Sequence, residues 1–143
     1  MAASAGHADD KTGPARAVSQ GAETAARSKR SSVLTKAALR ASDRLGLTKT
    51  ELAKVLGISA STASRMSSGA WAIAEQTKQW ELAALLVRVF RSLDALVGGS
   101  ERHAKEWLRA DNIHLSGSPA KLIFKVEGLT NVARYLDALR GAQ

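Results

Sequence analysis

Within one stretch of 20 residues, Lys49, Ser59, Ala60, Ser61, Thr62, Ser64, Arg65 and Ser68 combine two cations with several hydroxyls and one small apolar side chain. Hydroxyls and ammonium groups donate to phosphate oxygens, whereas a guanidinium fork can grip a guanine edge through two hydrogen bonds. Arg65 is the only such fork in the stretch, so base reading, worth ~1–3 kcal/mol of discrimination per bidentate contact, falls to it. Lys49, Lys54, Thr62 and Ser68 suit phosphates. Catalytic chemistry finds no comparable support. His7, His103 and His114 lack a metal-ligand spacing, and no second ligand class gathers around them. There is no phosphate loop and no G-x-S-x-G, and Glu101, Glu106 and Asp111 are spaced like the charged face of a helix. With no cysteine in the chain, disulfides and thiolate metal sites are excluded. No catalytic residue, metal or cofactor is expected.

Two short helices meeting at a tight turn would position the candidate groups. Leu52, Ala53 and Leu56 share one helical face, and Ala53 is small where a second helix must approach. Thr48 and Glu51 form a capping box that opens the first helix, and Gly57 supplies the left-handed backbone that ends it. Ile58 turns back to the core, Ser59 caps the second helix, and Ala63 and Met66 are its inward positions. Ala60, Ser61, Ser64 and Arg65 are left pointing outward. This is the steric pattern of a helix-turn-helix, and it resembles the Xre/Cro type, whose second helix enters the major groove of DNA.

Charge agrees with that placement. The formal net charge is +8, and half of it sits on residues 33–70, the excess a phosphate-binding surface needs. A length of 143 residues with 45% apolar content suffices for a packed core. No run of ~20 apolar residues spans a membrane, no secretory signal is visible, and a cytoplasmic, bacterial protein is expected.

The rest of the chain divides by composition. Residues 1–32 are Ala, Ser, Gly and charge, and are expected to form a disordered basic arm, with helix around Glu23 to Arg30 when something holds it. A helix from Val33 to Leu45 would support the helix-turn-helix, giving a domain at 33–70. Apolar residues at spacings of three and four from Trp80 to Val97 predict a long amphipathic helix over residues 75–97, within a connecting or dimerisation segment 71–99. Residues 100–143 should hold further short helices: one capped by Ser100, one begun by Pro119 and running through Phe124, and a last one from Leu129 to Leu139 after a break at Gly128. The run Lys121–Val126 is the one place where a strand competes. The predicted fold class is all-α.

The C-terminal string WLRADNIHLSGSPAKLIFKVEGLTNVARYLDALRG resembles the toxin-binding domain of the Xre/MbcA/ParS antitoxins through Trp107, Leu108, Asn112, Leu115, Gly117, Pro119, Gly128 and Val132, in that order. Together with the helix-turn-helix, the resemblance spans residues 33–141. It implies a type II antitoxin that binds a RES-domain toxin acting on NAD, caps its active site, and binds the operator of its own operon as a homodimer and within a toxin–antitoxin hetero-oligomer. Arg134 and Arg140 would suit a cleft that otherwise receives NAD phosphates. Trp107 reads first as a core anchor of the small domain and only second as a toxin contact, and Gly117, Pro119 and Gly128 read most simply as loop and helix-start residues. Xre-type motifs commonly carry glutamine where this chain has Lys49, and the outward side chains here are short, which lowers the expected selectivity of each subunit. The competing reading is a stand-alone helix-turn-helix regulator whose C-terminal helices dimerise or sense a ligand. A third is a scaffold that has lost DNA binding.

Overall fold

The computed structural model describes residues 14–142, which form seven helices: α1 (Pro14–Arg44), α2 (Lys49–Leu56), α3 (Ala60–Ser68), α4 (Lys78–Leu96), α5 (Glu101–Arg109), α6 (Pro119–Leu122) and α7 (Val126–Gly141). The described residues contain no strand, only an isolated antiparallel bridge between Asn112 and Gly117. None of these helices is long and apolar enough to cross a membrane.

Local hydrogen bonding starts and stops the helices largely where the sequence predicts. The Glu51 N–H donates to Thr48 Oγ1 at 3.1 Å and the Thr48 N–H to Glu51 Oε1 at 3.0 Å, closing the capping box of α2. Gly57 ends that helix at φ 65°, a conformation that costs a residue with a Cβ about 1 kcal/mol or more. Ser59 caps α3 through the Thr62 N–H, Thr77 caps α4 through the Trp80 N–H, and Ser100 caps α5 through the His103 N–H. Ala63 and Met66 of α3 are buried, as are Leu52, Ala53, Val55 and Leu56 of α2.

The first helix departs from expectation. The arm expected to be disordered, with helix only around Glu23 to Arg30 when held, is a helix from Pro14 onward, continuous with the segment predicted to begin at Val33; residues 1–13 lie outside the described part of the chain. Pro14 stands at the first helical position, where its missing N–H is no loss. Anchors near the middle of α1 explain how an almost wholly exposed segment is helical. Arg30 pairs with the Glu75 carboxylate, the Ser31 hydroxyl donates to the Ile73 carbonyl, and the Ile73 N–H donates to Thr35 Oγ1 at 2.9 Å. Once these contacts hold one turn, adding residues toward the N-terminus needs no new nucleus, and the alanine-rich sequence propagates well.

A second departure concerns Gly128. It does not break the chain but sits in the first turn of α7, and the break falls earlier, between Leu122 and Val126, so the Lys121–Val126 run is not a strand. A Cβ built on Gly128 would lie 1.9 Å from the carbonyl oxygen of Leu122. Glycine is there because α7 starts against the backbone of α6.

One continuous core joins all seven helices, with α4 at its centre. Ala83, Leu86, Val89 and Leu93 are at most 1% exposed, and α4 packs against α1 and α2 as well as α7. The wide apolar stripe of α4, which suited either a core or a dimer seam, is consumed largely within the chain. The described residues of the expected segments 33–70, 71–99 and 100–143 are therefore stretches of one packed body. The Arg88 guanidinium and the Ser92 hydroxyl of α4 both donate to the Asp137 carboxylate of α7, at 2.6 Å in each case. Those bonds, the hydroxyl first, hold the Asp137 carboxyl below its usual range, with Arg140 contributing from nearby.

Candidate functional site

The outer face of α3 is as predicted in exposure. Burial of Ala63 and Met66 turns Ala60, Ser61, Ser64, Arg65 and Ser68 to solvent, with Thr62 half-buried at the edge. These side chains also order one another. The Ser59 hydroxyl donates to Thr62 Oγ1 at 2.9 Å and lies 3.1 Å from Ser61 Oγ, and Arg65 Nη2 donates to the same Thr62 oxygen at 3.2 Å. Ser68 Oγ donates to the Arg65 carbonyl at 3.0 Å. The guanidinium is thus laid along the helix toward its N-terminal end, with most of its donors uncommitted, a geometry that reduces the entropy lost on gripping a base.

Lys49 stands exposed at the start of α2 and belongs to no ion pair among the described residues. Lys54 is placed differently from its phosphate assignment: its Nζ lies 5.3 Å from the centroid of the Phe124 ring, a cation–π contact that leans α2 toward the C-terminal helices. The structure adds a residue that no local pattern singled out. Lys36 of α1 lines a shallow cavity with Ser67, Ser68 and Trp71, beside the end of α3. Only tertiary packing brings this lysine beside the end of α3.

Arg109 was equally invisible in the sequence. It extends from the end of α5 to the capping-box glutamate of α2, 58 residues away, with Nη1 donating to Glu51 Oε2 at 2.7 Å and Nη2 to Oε1 at 2.8 Å; Nη2 also donates to the Gly46 carbonyl at 2.9 Å. Chiefly because of this bidentate pair, the Glu51 carboxyl is pulled down to about 2. The N-terminus of α2 is therefore clamped twice, by its own cap and by the far end of the chain.

The C-terminal candidates gather around a small hairpin between α5 and α6. Asn112 and Gly117 exchange backbone hydrogen bonds at 3.0 and 3.3 Å, while Asn112 Oδ1 accepts from the His114 and Leu115 N–H groups at 2.9 and 3.2 Å. Asn112 thus holds the turn, and Ser116 adopts a left-handed φ of 61° to complete it. Leu115 and Gly117 are half-buried within the hairpin, Pro119 is buried at the start of α6, and Val132 is fully buried on α7. Trp107 is half-buried. Its ring stacks on Tyr135 at a centroid distance of 6.4 Å and 16° between planes, and His114 stacks on Tyr135 at 5.9 Å and 26°. Tyr135, which the sequence reading passed over, is the centre of this stack. Arg134 and Arg140 are exposed on α7 and form no ion pair among the described residues. No group of three or more His, Asp or Glu residues among those described is arranged to hold a metal ion.

Two family models match the chain. One, for an antitoxin Xre-like helix-turn-helix domain, covers residues 24–88, beginning inside the N-terminal half of α1. The other, for the antitoxin Xre/MbcA/ParS C-terminal toxin-binding domain, covers residues 92–142. No curated protein matches the chain.

Proposed function

Because the chain belongs to the Xre/MbcA/ParS family of antitoxins, joining a DNA-binding helix-turn-helix to a toxin-binding domain, we propose that its partner is a RES-domain toxin that consumes NAD. In this reading the antitoxin occludes the toxin's active site and, as a homodimer on a two-fold operator, represses its own operon. The observation that carries the occlusion is the exposed side of α7, where Arg134 at mid-helix and Arg140 in the last turn are exposed cations on a helix held firmly to the core by Leu129, Val132, Ala133 and Leu136. A rigid helix that presents two exposed guanidinium groups suits a cleft built for the phosphates of a dinucleotide. The remaining motif residues, Trp107, Asn112, Leu115, Gly117, Pro119, Gly128 and Val132, shape the domain that presents it.

The test is co-expression of the full chain with the product of the adjacent gene, which this reading expects to be a RES-domain protein. Restored growth, preserved NAD and copurification are expected. Loss of inhibition with capture retained, on replacing both Arg134 and Arg140 by alanine, would assign them to the occluded cleft. If the toxin stays active and does not copurify, the antitoxin acts on some other partner or the chain works as a stand-alone regulator.

On the DNA side, Lys49, Ser59, Thr62 and Ser68 are assigned to phosphates and Ala60, Ser61, Ser64 and Arg65 to the base edges. Arg65→Ala is expected to reduce the preference for operator over random DNA by roughly five- to a hundredfold, the equivalent of one bidentate contact. A titration at fixed salt reads this directly, since the phosphate contribution is common to both DNAs. An unchanged ratio would remove Arg65 as the reader.

A further inference from the structure

Ile113 is 93% exposed, the most exposed of the large hydrophobic side chains of the described chain. It stands at the tip of the hairpin that Asn112 and Gly117 close. A lone exposed isoleucine needs no explanation, but this one is neither lone nor loose. The next residue, His114, lays its ring on Tyr135, and Tyr135 lies against Trp107, so the tip is braced on α7 and α5 by three stacked rings. An apolar side chain thrust into water from a rigid support, beside partly exposed aromatic faces, has the composition and the preorganisation of a protein-docking hot spot.

We propose that Ile113 is the anchor by which this chain docks on its toxin, inserting into an apolar hollow while His114 and Tyr135 pack around the rim, a role distinct from the occlusion assigned to the arginines of α7. The proposal rests on the toxin-binding reading. Two observations select the toxin as the occupant. All the members of the patch, Trp107, Ile113, His114 and Tyr135, lie within the matched toxin-binding domain, residues 92–142. From Ala110 to Ser118 the only formal charge is Asp111, so the tip offers no cation to a phosphate backbone. Docking and inhibition would then be carried by different residues: Ile113 governs how tightly the toxin is held, and the arginines of α7 govern what the held toxin can do.

The experiment measures capture of the purified neighbouring toxin by full-length chain carrying Ile113→Ala or Ile113→Asp, with Arg134→Ala/Arg140→Ala for comparison. Ile113→Asp is expected to weaken capture at least tenfold and Ile113→Ala several-fold, with thermal unfolding and operator binding unchanged because the side chain contacts so little of its own fold. Equal capture by wild type and Ile113→Asp overturns the docking assignment and leaves the antitoxin reading intact. If the wild-type chain captures no toxin, that reading fails and takes the proposal with it. If Ile113→Asp alters the size of the chain alone in solution, the tip is a contact between copies of the chain, and the proposal is overturned.

Discussion

Replacing Gly128 with alanine is expected to cost at least ~3 kcal/mol of stability, a drop in thermal midpoint on the order of 10 °C for a chain of this size. The added methyl would sit 1.9 Å from the Leu122 carbonyl oxygen, 2.7 Å from its carbon and 3.2 Å from its Cα. Core overpacking by a methylene typically costs ~1–3 kcal/mol when flexible side chains can move aside. Here every obstructing atom is backbone. Relief requires α7 to lift from α6, and α7 is held in place by Leu129, Val132, Ala133 and Leu136, all fully buried. Because those residues belong to the same core as the helix-turn-helix, DNA binding should fall together with toxin binding near the lowered midpoint. Gly21→Ala is the control of opposite sign. Nothing lies within 4 Å of its would-be Cβ on α1, so helix content should hold or rise, in keeping with the ~1 kcal/mol helix preference of alanine over glycine. Equal midpoints for Gly128→Ala and wild type would show that the α6–α7 junction has room that the structure denies.

Removing the Arg109 side chain should have the next largest effect, about 1–2 kcal/mol at neutral pH. Charge-assisted hydrogen bonds contribute ~1.5–3 kcal/mol, and the arginine, 45% exposed against 18% for Glu51, is partly screened by water. Acid titration separates this pair from ordinary packing. Glu51 holds its proton less tightly in the folded protein, where its carboxyl titrates at about 2, than in the unfolded chain, where the ordinary value is 4.5. Its contribution is therefore complete above the unfolded value and lost as pH falls from about 4.5 toward 2. Wild type and Arg109→Ala should differ most at neutral pH and converge at the acid end. Denaturant midpoints between pH 2 and pH 7 would reveal this. A constant gap across that range would mean that Arg109 acts through its aliphatic stem or the Gly46 carbonyl and not through the ion pair.

What the sequence made legible was local. The Thr48–Glu51 box, the Gly57 stop and the Ser59 cap are hydrogen bonds and dihedrals spanning three or four residues, and each has the predicted partner. Inward faces followed from helical spacing, and the order of residues in the C-terminal string identified its family before any helix was placed. The losses were of two kinds. Arg109 with Glu51, Lys54 with Phe124, Lys36 beside Ser68 and the Trp107–Tyr135–His114 stack all join distant stretches of chain, so no spacing announces them. Elsewhere, composition was right about an isolated peptide and wrong about its setting. Residues 14–32 lack the apolar surface to fold alone, yet a helix anchored at Arg30, Ser31 and Thr35 carries them along. Gly128 looked like a helix breaker, and its missing side chain instead lets a helix begin.

The central place of α4 also bears on how such antitoxins can change partners. A family whose two tasks lay in separate bodies could recombine freely, exchanging toxin-binding halves between operons while each kept its own operator. In this chain one helix presents Ala83, Leu86, Val89 and Leu93 to neighbours from both halves. A crossover anywhere near it would set one parent's α4 against the other's α1 or α7, with side-chain volumes selected for different neighbours. Inheritance of a new toxin specificity is thereby steered away from swapping halves and toward single replacements at solvent-facing positions, where residue 113 can vary without asking any other residue to change.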